Sequence, residues 1–135
     1  MSDDAGGRKA ATLYDVLGGE AAILAFTERF YALMDSLPEA AACRAIHPRD
    51  LSGSRQKLFE YLTGWLGGPP LFVERHGPPM LRARHLRTPI GEDEIEGWLA
   101  CFRLAWAQTL ANPEVETVVL PRVEALARHM HNQPR

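Results

Sequence analysis

Apolar residues recur along most of this chain at spacings of three and four, the mark of helices that bury one face. Between Glu20 and Asp35 they are Ile23, Phe26, Phe30, Leu33 and Met34. Gly18-Gly19 precedes this run and Pro38 follows it, so the spacing predicts a helix between those breaks. Tyr31 falls at the edge of the stripe, where its ring can be buried while its hydroxyl reaches a polar cavity. CRAIHPRDLSGS contains no periodic run and reads as a corner, with His47 biased away from helix by Pro48. Asp50 or Ser52 can cap a second helix, whose stripe is Leu58, Tyr61, Leu62 and Trp65. GGPP, residues 67–70, stops that helix.

From Leu71 to Pro79 the pattern predicts an irregular loop, with His76 solvated. A short helix starting near Pro79 would hold Leu81 and His85 on one face, one turn apart, and end at Thr88-Pro89. A third long helix follows Gly91, with Glu92, Asp93 and Glu94 in its first turn, where they favour the helix dipole. Its stripe is Ile95, Trp98, Leu99, Phe102, Ala105 and Trp106. Asn112-Pro113 opens the last helix, which carries Val115, Val118, Val119, Val123, Leu126, Ala127 and Met130 and should kink at Pro121. His129 and His131 fall where a chain end is expected to fray. No segment alternates as a strand would, so the expected class is all-α.

Totals narrow the function more than the fold. The chain has 135 residues, enough for one domain with its own core; 46% are apolar and 24% charged. A net charge of −2 gives no global attraction to nucleic acid or to an anionic membrane. No stretch approaches a membrane span, and the polar first eleven residues lack the apolar core of a signal peptide. The expectation is a cytoplasmic protein with a disordered lead over 1–11 and one domain over 12–135. Cys43 and Cys101 are far apart and read as buried free thiols.

Common catalytic motifs are missing: there is no Gly-rich phosphate loop, GxSxG, HExxH or CxxC. Carboxylates read as scattered over polar faces. The unusual stretch is LRARHLRTPIG, residues 81–91, where His85 sits among Arg82, Arg84 and Arg87. Cationic neighbours favour a neutral imidazole, the form that binds a metal. A lone histidine does not make a zinc site, but one protein ligand suffices for haem. Arg82, Arg84 and Lys57 could then face its carboxylates. Leu58, Phe72, Leu81, Ile90 and Trp98 could line an apolar slot, and Tyr31, His47 and the Trp98 indole could act opposite the iron. The same pattern also suits an all-α domain with core aromatics and a solvated basic loop.

Five pieces, in order, resemble the second group of truncated haemoglobins: TLYDVLGGE, RFYALM, IHPRDLSGSRQKLFEYLTGWLGGP, LRARH and EGWLACF. They span about Thr12 to His131. The resemblance implies a two-over-two helical sandwich around haem b. It makes His85 the proximal iron ligand, Tyr31 the distal tyrosine, Trp98 the tryptophan facing bound ligand and His47 the corner residue. Ser54 and Leu58 match distal-side positions, and Lys57 and Arg84 match positions near the carboxylates. The chain departs from the family pattern after the proximal histidine, where RHxPF is RHLRTPI, and before it, where GHP is GPP with Pro78. About eleven residues precede the match.

With these residues, the resemblance implies binding of O2 and other diatomics at a five-coordinate iron. Three polar groups around the ligand favour redox chemistry on it, such as nitric oxide dioxygenation to nitrate, with a separate reductase as partner. An oxygen carrier or sensor, and a weak peroxidase using His47, are the alternatives. The expected assembly is a monomer or homodimer, and transfer to a partner would need an exposed apolar patch that sequence does not display.

Overall fold

The computed structural model describes residues 11–134, so the lead expected over 1–11 lies outside the described residues but for Ala11. Eight α-helices follow in order: α1 (Leu13–Leu17), α2 (Gly19–Ser36), α3 (Ala41–Ala45), α4 (Ser52–Trp65), α5 (Leu71–His76), α6 (Leu81–Arg84), α7 (Glu92–Ala105) and α8 (Pro113–His129). A 3-10 turn, Pro38–Ala40, leads into α3, and a π-helical turn, Trp106–Leu110, extends α7. No strand occurs among the described residues, in keeping with the all-α class expected.

Local signals explain most helix ends. Thr12 and Asp15 form a reciprocal capping box at α1. Gly18 (φ 116°) adopts the left-handed conformation that ends α1 and lets α2 start at once. The Asp50 carboxylate accepts from the Ser52 amide ahead of α4. Glu94 accepts from the Gly91 amide at α7, and Asn112 accepts from Val115 at α8. Helix α8 continues through Pro121 without a break.

The core forms where α2 crosses α7. Trp98, Phe102 and Trp106 recur every four residues and stack at 5.5 and 5.9 Å between ring centroids. Phe26 of α2 meets Phe102 edge-on at 5.0 Å, and Phe30 meets Trp98 edge-on at 5.2 Å. Offset and edge-on pairs of this kind add about 0.5–1.5 kcal/mol each beyond area burial. Gly97 brings α7 against α3: a Cβ there would stand 2.9 Å from the Glu39 carbonyl oxygen and 3.2 Å from Cys43 Cβ. Close approach at Gly97 fixes the corner that carries His47.

Several sequence expectations need correction. Residues 71–76 form helix α5 rather than an irregular loop, because Phe72 is buried and both Arg75 and His76 reach Glu60. Glu60 therefore does not lie on a polar face: it is 1% exposed. Val118, assigned to the apolar stripe of α8, is exposed. The C-terminal end is fastened, since Arg82 donates to the carbonyls of His129 and His131, and Asn132 donates to those of His85 and Thr88.

Candidate functional site: a cavity between two histidines

The stripe of α4 opens onto a cavity as well as packing on the core. Leu58, Tyr61, Leu62 and Trp65 all line it, while Phe59 and Thr63 on the adjoining face are buried against the protein. The cavity measures about 530 Å³, within the roughly 300–1,000 Å³ range of sites that hold a sizeable organic ligand. Helix α7 supplies Glu94, Ile95 and Trp98, and α8 supplies Val123, Leu126 and Ala127. All but one of the residues singled out for the site from sequence line this one cavity: Tyr31, His47, Ser54, Lys57, Leu58, Phe72, Leu81, Arg84, His85, Ile90 and Trp98. Arg82, considered as a third cation there, does not; its guanidinium is turned to the C-terminal carbonyls.

His85 caps α6. Its Nδ1 lies 2.6 Å from the Leu81 carbonyl oxygen, one turn back. A carbonyl only accepts, so Nδ1 carries the proton and, in the neutral ring, Nε2 keeps its lone pair. That tautomer is the one that ligates a metal through Nε2. The left-handed Met80 (φ 41°) ahead of α6 and the Asn132 amide on the His85 carbonyl fix the backbone on either side.

His47 is arranged alike at the other end of the cavity. Its Nδ1 is 2.8 Å from the Cys43 carbonyl oxygen, which leaves Nε2 as an acceptor while the ring is neutral. Burial is the main cause that pulls its pKa below the ordinary histidine value; Arg44 and His85 add to this, and the Cys43 hydrogen bond opposes it. The Tyr31 ring lies 6.1 Å from the His47 ring, and its hydroxyl donates weakly to the Ser54 carbonyl at 3.4 Å. Burial holds the Tyr31 phenol far above its usual range, with Cys43 and Cys101 adding to the effect, so it stays protonated. The Trp98 indole N–H has no acceptor among the described residues, whereas that of Trp106 donates to the Asn112 carbonyl at 3.0 Å. An indole N–H can only donate, so the cavity wall carries an unused donor.

Lys57, Arg84 and His85 line the cavity yet are exposed, which marks its mouth. Arg84 uses Nε and Nη2 on the carbonyls of His76, Pro78 and Pro79 and lies 5.2 Å from the centre of the Phe72 ring. Its Nη1 has no acceptor among the described residues. Beside this mouth, His76 is not solvated: it joins Gln56 and Arg75 on the buried Glu60 carboxylate.

Sequence reading missed Cys43, Glu94 and the α8 face as cavity wall. Glu94 had a first-turn role with the helix dipole that explained it already, and the stripe of α8 gives no sign of whether it faces core or cavity. No group of three metal-ligating side chains occurs among the described residues.

A family model for bacterial-like globins matches residues 12–132. The chain is 39% identical over 115 residues to a group 2 truncated hemoglobin of Bacillus subtilis, covering 85% of each. Its fold is similar to that of the group II 2-on-2 hemoglobin of Agrobacterium tumefaciens (TM-score 0.91, 55% identity, 94% of this chain and 98% of that one). It is also similar to the cold-adapted truncated hemoglobin of Pseudoalteromonas haloplanktis (TM-score 0.88, 41% identity, 92% of this chain and 100% of that one).

Proposed function

The chain belongs to the bacterial-like globin family, among its group II truncated haemoglobins with the two-over-two helical fold, and on that premise we propose that it holds haem b through His85 and binds O2 and other diatomic ligands. Membership of this family implies haem. The observation that carries the assignment of the ligand is the His85 tautomer: Nδ1 is committed to Leu81, and Nε2 is the nitrogen left for iron. The donor set fits the rest of the group. Lys57 and Arg84 stand at the mouth for carboxylates, and Leu58, Phe72, Leu81 and Ile90 give the apolar wall.

When bound, haem supplies ferrous iron as the seat of the diatomic and the one electron that nitric oxide dioxygenation to nitrate consumes, so turnover needs an external reductase. The chain's own residues set what that seat favours. Trp98 offers a donor with no competing acceptor, which stabilises negative charge developing on a small ligand. Tyr31 stays protonated and can donate or accept. His47 offers an acceptor at Nε2 while its ring is neutral, and a donor there once it takes up a proton. Such a set supports tight retention and redox chemistry over simple storage. Peroxidase chemistry is less supported, because His85 leans on a neutral carbonyl rather than a carboxylate that would make it more electron-donating. Two buried free thiols suit a cytoplasmic setting, and no helix among the described residues is long and apolar enough to cross a membrane.

Absorption spectra of the ferric, ferrous and O2-exposed protein, beside His85→Ala, test the reading. The expected result is a Soret band that depends on His85, a persistent oxy form and nitrate production on adding nitric oxide. A wild-type protein with no Soret band after haem is added would leave a helical domain without cofactor.

A further inference from the structure

Charge is unevenly placed in this protein. Residues 44–87 hold eight Lys and Arg against three Asp and Glu, a net of +5, while the rest hold seven against fourteen, a net of −7. Away from the cavity some cations are neutralised: Arg103 and Arg128 reach Glu92, Glu96 and Glu124. At the mouth they are not. Lys57 and Arg84 there, and Arg82 and Arg87 beside Arg84 in the chain, have no carboxylate partner among the described residues, and Arg82 and Arg84 donate only to carbonyls.

The same lip displays apolar side chains. Met80 is 66% exposed and Leu86 53%, on either side of α6, and Val73 of α5 is 50% exposed. Met80 holds a left-handed backbone without being glycine, a strained choice that leaves its side chain in solvent at the cavity mouth. An apolar centre with a ring of like charge is the anatomy of a protein interface.

We propose that this lip is the docking face for an electron-donor protein with an acidic surface. The inference rests on the preceding reading, in which the iron must be returned to its ferrous state from outside. A compact acidic partner seated on α6 meets mainly the +5 segment. A long polyanion or an anionic membrane would extend beyond it onto the acidic remainder and be repelled over distances of about 8 Å or less at physiological salt.

The test is stopped-flow reduction of the ferric holoprotein by reduced flavodoxin, an acidic carrier whose flavin loses one electron as ferric iron becomes ferrous. Wild type is compared with Arg87→Glu and Leu86→Gln at low and high salt. The expected result is a wild-type rate that falls with salt, and about a tenfold slower rate for Arg87→Glu at low salt with weaker salt dependence. Leu86→Gln should be slower at both salt concentrations. Soret bands and reduction by dithionite should be the same in all three. A His85-dependent Soret band is recorded first, so failure of the haem reading is seen before any carrier is added. Equal carrier rates in the three holoproteins, or a wild-type rate indifferent to salt, overturn the docking face. A DNA duplex or phosphatidylglycerol vesicle that binds wild type but not Arg87→Glu, beside equal carrier rates, gives the lip to a polyanion and overturns it too.

Discussion

His76 Nε2 stands 2.8 Å from Glu60 Oε1, and this pair ties the short helix α5 to the middle of α4. Arg75 reaches the other carboxylate oxygen at 2.7 Å, with Gln56 beside it at 2.9 Å. The pair also ends a row of contacts that reaches the cavity mouth: His76 packs on Phe72 at 4.7 Å, Phe72 lies under Arg84, and Arg84 precedes His85. Burial pushes the Glu60 carboxyl up, but the three donors outweigh it and bring its pKa below the ordinary glutamate value. A lowered native pKa adds stability that is full above the ordinary carboxyl range and is lost as pH falls through the native value. Glu60→Gln is therefore expected to cost about 1–2 kcal/mol at pH 7, the low end because Arg75 is largely exposed and can be rehydrated. Urea unfolding at several pH values checks this: the gap between the two proteins should narrow below about pH 4. A gap independent of pH would sink the account.

Trp98→Phe keeps a ring to stack on Phe102 and removes only the N–H. A hydrogen bond to a ligand of superoxide character contributes about 1.5–3 kcal/mol, so O2 release should quicken roughly ten- to a hundredfold. Stopped-flow displacement by carbon monoxide measures it. An unchanged rate would mean that Trp98 makes no bond to the ligand.

His47 changes role with pH. Neutral, it presents an acceptor at Nε2; protonated, it presents a second donor, while Nδ1 stays on the Cys43 carbonyl. Burial first of all lowers its pKa, so uptake falls below the ordinary histidine range of about 6.5. O2 release should slow as pH drops beneath that range, and His47→Phe should flatten the profile. Parallel profiles in the two proteins would assign the titration to another group.

Gly97→Ala places a methyl group against the Glu39 carbonyl and Cys43. Neither is the loose end of a flexible side chain, so α3 must move. The expected cost is about 1–3 kcal/mol by thermal unfolding. The His47 corner should shift with it, readable as altered O2 release. Alanine tolerated without effect on either would show that α3 yields freely.

The long helices were legible because their stripes repeat over many turns: Phe26 and Phe30 in α2, and Trp98, Phe102 and Trp106 in α7. So were their boundaries at Gly18, Gly91 and Asn112, which rest on local hydrogen bonds. Helix α5 was not, since six residues make fewer than two turns and its support comes from Glu60, fifteen and sixteen positions away. Residue chemistry could assemble a possible slot around His85, but until the family resemblance was added an all-α domain with a solvated basic loop stayed the leading reading. The burial of Glu60 and the fastening of the C-terminal end depend on partners distant in sequence, which no local pattern reports.

Asn132 gives that fastening a consequence in time. Its side chain donates to the carbonyls of His85 and Thr88 and accepts from the Ile90 amide, while its own amide bonds the Ile90 carbonyl. A chain is synthesised from its N-terminus, and α2, α4 and most of the cavity wall emerge well before this residue. The loop that presents His85 is thus completed only once Asn132, 47 positions further along, has been made, so this wall of the cavity closes late in synthesis.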